Sequence, residues 1–326
     1  MTAAFARRSS AAVAAALATI YLVWGSTYLA MRITDRTMPP FLMSSARFFV
    51  AGAVLFALTR NGRRPTLREW VACAIAGTAL LAVGNAGVAW AETRIGSGLA
   101  ALIVASIPLY VALMDRVVFG RRLSVMAVIG LVVGFAGVVL LVRPGGGGNT
   151  FAALVLLATT SAWSAGSLYV RGAPLPANPL RAASMQMLSA SIVAVAVGLI
   201  RGESSQVHAS SFGLEPLLAF AYLVVFGSLV AFSAYAWLLK NVRISVVATY
   251  AFVNPVVAVV LGAAFLGERI TATTIIAGAA IVVAVVLIVV AKVPRARPRA
   301  RPPRHRSRVP LRGRAGFAGA SVSTRN

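Results

Sequence analysis

Runs of about 20 apolar residues recur along this chain, and a helix of that length crosses roughly 30 Å of hydrocarbon. Ten such runs fall at about 12–31, 40–59, 69–90, 95–114, 123–142, 151–170, 179–200, 213–239, 244–266 and 271–291. Helix breakers separate them: Pro39-Pro40, Asn61-Gly62, the Gly145–Gly148 run, and the stretch from Pro174 to Pro179. Backbone groups in lipid need partners within their own segment or a closed sheet, so these runs are predicted to be helices. Only 12% of residues are charged, against roughly a quarter in soluble domains. Apart from Arg47, the charges cluster between the runs or at their ends, clear of the cost of sitting at mid-membrane. The expected fold is all-α and integral to a membrane, with ten transmembrane helices.

Arg7-Arg8 precede the first run in the manner of a signal peptide. That run is too long for a signal peptide's apolar core, and no small-residue cleavage site follows it, so a retained first helix is predicted. With the N-terminus inside, thirteen of the 31 lysines and arginines fall on the inner side of the spans and six on the outer side. The segment from Lys292 onward adds eleven to the inner side, and Arg47 lies within a span. The positive-inside rule then places both termini in the cytoplasm. The excess of arginine over lysine suits a GC-rich bacterial genome, and the cell (inner) membrane is the expected location. The Pro- and Arg-rich tail is predicted to be disordered and to brush anionic lipid. The net charge of +24 is therefore read as a membrane-topology signal, and no nucleic acid is expected as a partner.

Catalytic classes lose their parts on inspection. His208 and His305 lie in a loop and in the tail, and no His/Cys/carboxylate group has metal-ligand spacing. No serine or cysteine has a candidate base within a span. Gly96-Ser97-Gly98 and Gly145–Gly148 lack the strand and lysine of a phosphate-binding loop. Cys73 is the single cysteine, so no intrachain disulfide forms. No enzyme, catalytic residue, metal or cofactor is expected. The carboxylates Asp35, Glu69, Glu92, Asp115, Glu203, Glu215 and Glu268 all fall at or beyond span ends, so no mid-membrane acidic relay is evident.

The chain also repeats itself. At an offset of 147 residues Pro108 pairs with Pro255, Gly120 with Gly267 and Arg122 with Arg269; at 139, Trp24 pairs with Trp163, Leu29 with Leu168 and Arg32 with Arg171. Five helices are followed by five more, and five is odd, so equivalent helices cross in opposite senses. Inverted repeats of this kind are common in secondary transporters. The expected organisation is a cytoplasmic N-terminus (1–11), a first five-helix repeat (12–142), a Gly-rich linker (143–150), a second repeat (151–291) and the tail (292–326).

WGSTYLAMR (24–32), PPFLMSSARFF (39–49), SGLAALIVASIPLYVALM (97–114) and FVNPVVAVVLGAAFLGERIT (252–271) resemble EamA-type permeases of the drug/metabolite transporter superfamily. The resemblance spans roughly 12–291 and is closest to the YedA-like exporter branch. It implies a carrier with a central cavity between the repeats, working by alternating access. One departure is Gly120-Arg121-Arg122, where the second half has Gly267-Glu268-Arg269.

Polar and aromatic groups inside spans are the candidates for a solute cavity, since such sites combine apolar walls with a few placed polar groups. Trp24, Thr27 and Tyr28 lie on the first helix, Asn85 on the third, Trp163 and Ser164 on the sixth, and Tyr250 and Asn254 on the ninth. Arg47 is the one clear intramembrane charge, either a functional group or a side chain snorkelling to the interface. Gln186 is its repeat partner and would share an interior face with it. Pro108 and Pro255 would kink their helices at points where a gate could bend. Trp70, Trp90 and Trp237 read as an interfacial belt, and Gly130, Gly134 and Gly137 as a close-packing face.

These features together predict an exporter of small metabolites or drugs, with membrane lipid as its solvent and homodimerisation left open. Two alternatives stand beside it: a non-transporting scaffold acting through the basic tail, and a translocase of lipid-linked substrates.

Overall fold

The computed structural model describes residues 2–61, 63–120, 124–142, 149–208, 212–242, 244–247 and 249–291. Arg121-Arg122, the Gly145–Gly148 run and the basic tail lie outside the described residues. Within them the regular structure is helical throughout. Its elements are α1 (Thr2–Thr34), α2 (Pro40–Leu58), α3 (Leu67–Gly77), α4 (Ala86–Glu92), α5 (Ser97–Val104), α6 (Ile107–Phe119), α7 (Val125–Val142) and α8 (Thr150–Val170). There follow α9 (Pro179–Ile200), α10 (Leu214–Tyr222), α11 (Ala231–Asn241), α12 (Ile244–Val247), α13 (Tyr250–Leu266) and α14 (Ala272–Ala291). Two π-helical stretches, Thr78–Asn85 and Leu223–Val230, join α3 to α4 and α10 to α11.

Seven helical stretches among the described residues are long and apolar enough to cross a membrane: Ser10–Thr34, Pro40–Leu58, Leu67–Glu92, Ser97–Val118, Thr150–Val170, Pro179–Ile200 and Leu214–Asn241. Val125–Leu140, Val253–Leu266 and Ala272–Leu287 are apolar but shorter. The outer surface is that of a protein solvated by hydrocarbon. Leu58 is 75% exposed, Phe265 71% and Val132 67%, with many other apolar side chains beside them, far more than a water-soluble surface carries as one contiguous face.

Local sequence sets the helix ends. Thr66 and Glu69 form a capping box at the start of α3, and Asn178 caps α9 with Pro179 in its first turn, where a missing N–H is harmless. Gly120 follows α6 at φ +63° and Gly267 closes α13 at φ +66°, the left-handed conformation a glycine C-cap adopts most readily. These two glycines are equivalent under the 147-residue offset.

Packing mixes the two sequence halves. α2 lies along α9, α7 along α14, α1 against α13 and α11, and α8 against α6 and the first π-helical stretch. Gly134 and Gly137 let α7 approach α14 closely, facing Ala284 and the Ala277 carbonyl, as the small-residue face suggested.

Two expectations are corrected. Pro108 does not kink a continuous helix: the chain breaks at Ala105-Ser106, and Pro108 sits in the first turn of α6, where its lost hydrogen bond to residue i−4 would have fallen across the break. Pro255, by contrast, lies inside α13. Trp90 is not in an interfacial belt; it is 7% exposed and stacked under Arg94, whose guanidinium lies 4.0 Å from the ring.

Candidate functional site

A cavity of about 60 Å³ lies at the centre of the bundle. α1 contributes Trp24, Thr27 and Tyr28 to its wall, α2 contributes Arg47, and α8 contributes Trp163. Asn85 comes from the first π-helical stretch, Gly227 and Ser228 from the second, and Tyr250 and Asn254 from α13. Eight of the twelve residues singled out in the sequence therefore meet at one place.

Arg47 does not snorkel. It is 2% exposed, its Nε donates to Ser228 Oγ at 2.7 Å, and its Nη1 donates to Asn85 Oδ1 at 3.2 Å. Both acceptors are neutral, and among the described residues no carboxylate lies within 4.0 Å of the guanidinium. Gly227 makes the approach feasible, since a Cβ there would sit 2.8 Å from Arg47 Nη2.

Aromatic rings form the opposite wall. Trp24 meets Trp163 edge-on at 5.7 Å and Tyr250 edge-on at 5.4 Å, and Tyr235 lies 4.9 Å away. Such pairs hold one another in place beyond what burial alone gives. Trp24 Nε1 donates to the Gly227 carbonyl at 3.3 Å. Thr27 Oγ1 is spent on its own helix, donating to Trp24 O at 2.7 Å. With its amide nitrogen turned toward acceptors, Asn254 donates to Tyr21 O at 3.1 Å and Tyr250 O at 3.2 Å, tying α13 to α1.

The other four candidates lie elsewhere. Ser164 Oγ donates to Thr160 O at 2.8 Å, a hydroxyl folded back onto its own helix. Gln186 lines a different cleft, so it does not share a face with Arg47. Pro108 and Pro255 shape helices without lining the cavity. Sequence reading missed Ser228, Phe232 and Tyr235. All three sit in an apolar run where π-helical winding shifts side chains off the 3.6-residue period, so periodicity gave no signal for them.

Two larger clefts flank the cavity at opposite ends of α2. One, of about 370 Å³, is lined by Asp35, Pro40, Trp90, Arg94, Arg201 and Glu203 at the start of that helix. The other, of about 380 Å³, is lined by Pro179, Gln186, Tyr235 and Lys240, beside the point where Arg181 Nη1 donates to Thr59 O at 2.6 Å. Phe232 lines both the cavity and this second cleft.

The first cleft is rich in strained charge. Burial pushes the Asp35 carboxyl well above the usual carboxylate range, with Arg32 and Arg47 pulling it down and Glu203 pushing it up. Glu203 is also raised by burial, against the pull of two amides: Leu42 N and Phe41 N each donate to its Oε2 at 3.0 Å, fixing the first turn of α2. Burial and the neighbouring Arg201 lower Arg94. Among the described residues no group of three or more His, Cys, Asp or Glu side chains could hold a metal ion.

Helices of membrane-spanning length, an apolar outer surface and a small, polar-studded central cavity define a polytopic membrane protein. The chain belongs to the EamA-like transporter family, whose model matches residues 10–143 and again 150–290. It is 38% identical over 260 residues to a protein of Escherichia coli K12 described as the uncharacterized inner membrane transporter YedA, covering 78% of this chain and 83% of that protein. It is 27% identical over 277 residues to the uncharacterized transporter YvbV of Bacillus subtilis, covering 82% and 88%. A solved crystal structure with 24% sequence identity superposes with a TM-score of 0.60, over 85% of this chain and 96% of that one.

Proposed function

We propose that this transporter is a secondary carrier that exports small organic solutes by alternating access through the central cavity. The observation that carries the reading is the arrangement of spaces. A small cavity lined by Arg47 and six aromatic side chains lies between two larger clefts at opposite ends of α2. A carrier needs a site that opens to one side at a time, with a fixed binding surface between two entrances.

The same reading has ten crossings arranged as two inverted five-helix repeats, and three observations favour it. The family model matches twice, the equivalent glycines Gly120 and Gly267 share a left-handed backbone, and the third helix of each half carries a π-helical stretch facing the cavity. The distribution of lysine and arginine favours both termini in the cytoplasm. The Asp35 cleft then faces outward and the Lys240 cleft faces the cytoplasm.

The test is flux through reconstituted protein. Thermal-shift screening against amino acids, nucleosides and cationic drugs selects a solute, and its transport is measured in proteoliposomes. Trp24→Ala and Arg47→Ala should each lower flux while leaving membrane insertion intact; unchanged flux in both would remove the central cavity from the mechanism. Removing residues 293–326 should leave flux in place, whereas a scaffold working through the basic tail would lose its function.

A further inference from the structure

Glu92, the last residue of α4, is 0% exposed, and neither of its carboxyl oxygens meets a hydrogen-bond donor. Its place at a helix end suggested a solvated group, but α1, α2, α5 and α8 all pack around α4. Nearby, both carboxyl oxygens of Asp35 are buried and equally without a donor, at the wall of the 370 Å³ cleft. Among the described residues neither carboxyl has a cation within 4.0 Å.

The surrounding charges are otherwise engaged. From α1, the Arg32 guanidinium donates to the main-chain carbonyl of Glu92 rather than to its carboxyl. From α2, Arg47 is held by Ser228 and Asn85. Glu268 acts on Glu92 from the loop after α13, but its own oxygens accept from Ser97 N at 2.7 Å and Gly98 N at 3.0 Å. Glu203, which acts on Asp35, is likewise bound to two amides. α5 and α8 bring no charged side chain. Among the described residues, Asp35 and Glu92 are thus the two acids of this region with neither a hydrogen-bond donor nor an ion-pair partner; Arg32 and Arg47 act on them only from beyond contact distance. An unpaired buried carboxylate is costly enough that the group takes a proton instead. α4, which ends at Glu92, packs against α1, the helix that carries Tyr28 into the central cavity wall.

We propose that Glu92 is a proton-binding site of this protein, loaded from the Asp35 cleft. The step is the making and breaking of one O–H bond at a carboxyl oxygen, the proton coming from and returning to water. This goes beyond the carrier reading and rests on it only for what the proton drives.

Two experiments on the full-length chain need no solute. In the first, proteoliposomes adsorbed on a solid-supported membrane receive a pH step, and proton binding gives a transient charge displacement. The current should fall below that of wild type in Glu92→Gln, persist in Glu92→Asp and shift its pH midpoint in Asp35→Asn. In the second, the wild-type protein is treated with dicyclohexylcarbodiimide, which adds to protonated carboxyls in apolar surroundings, and peptides are mapped by mass spectrometry. The adduct should sit on Glu92 and decline as pH rises. A wild-type current in well-folded Glu92→Gln overturns the proposal, as does a Glu92 left unmodified at every pH where the protein is folded. The second measurement decides the matter even if Glu92→Gln does not fold. Failure of the carrier reading shows elsewhere, as unchanged solute flux in Trp24→Ala and Arg47→Ala.

Discussion

Asn85 and Ser228 are far apart in the chain, yet both accept a hydrogen bond from the Arg47 guanidinium, one from each π-helical stretch. A single cation therefore joins the third helix of the first half to its counterpart in the second. Arg47→Lys keeps the charge but not the planar fork that reaches two acceptors at once. It should lose about 1.5–3 kcal/mol of stability, the worth of one hydrogen bond to a charged group, and lower solute flux. Thermal unfolding and proteoliposome transport measure the two effects; a variant matching wild type in both would show that the bridge is idle.

Gly77 is the closest point of α3 to α9. A Cβ there would lie 2.2 Å from the Gln186 carbonyl oxygen and 3.0 Å from its Cα, main-chain atoms that cannot turn away. Gly77→Ala should destabilise by about 1–3 kcal/mol, as overpacking does. An unaltered melting temperature in detergent would mean that the two helices part more easily than their packing suggests.

Glu268 supplies the start of α5 with acceptors for two main-chain amides, groups that have no partner within the helix itself. Glu268→Ala leaves them unpaired in a covered place, at a cost of about 1–3 kcal/mol. Glu268→Gln keeps one acceptor oxygen and should lose less. Equal melting temperatures for the two variants would count against this role.

The Asp35 carboxyl gives a pH dependence with a definite sign. Its folded-state value is raised by burial, while an unfolded aspartate titrates near about 3.9. The folded chain thus holds the proton more tightly. The resulting stability is complete in acid below the unfolded value and is lost as pH rises through the folded one. Asp35→Asn removes this titration. Its melting temperature should fall less than that of wild type between acid and neutral pH; parallel profiles would contradict the assignment.

Phe232 stands between the cavity and the Lys240 cleft. Phe232→Ala should cost about 3–5 kcal/mol and merge the two spaces. With Cys73→Ala as background, a thiol placed by Ser228→Cys should become reactive to a polar maleimide once Phe232 is truncated. A reaction rate that does not change would locate the barrier elsewhere.

Much of this site could be read from the chain because lipid makes polar residues conspicuous. Arg47, Asn85, Asn254 and the pair Trp24 and Trp163 stand out in apolar runs, and the repeat paired the two tryptophans, although its other pairing, Arg47 with Gln186, puts together residues that line different spaces. What could not be read depends on winding and on cover. The π-helical turns bring Ser228 into reach of Arg47 against the usual helical period, and Tyr235 joins Trp24 only after α11 is packed. Glu92 looked like a span-end residue because nothing in its neighbourhood along the chain announces that four other helices enclose it. The break before Pro108 was foreseen as a bend, since a proline marks where a helix is weak without saying whether it yields or ends.

Cross-stitching between the halves limits how this molecule can flex. Glu203, from the second half, clasps the first turn of α2, and Glu268 clasps that of α5, while Arg181 grips the far end of α2. One sequence half cannot rock as a solid block against the other without undoing those clasps. In the alternating-access cycle proposed above, the bodies that move would therefore each be assembled from segments of both halves.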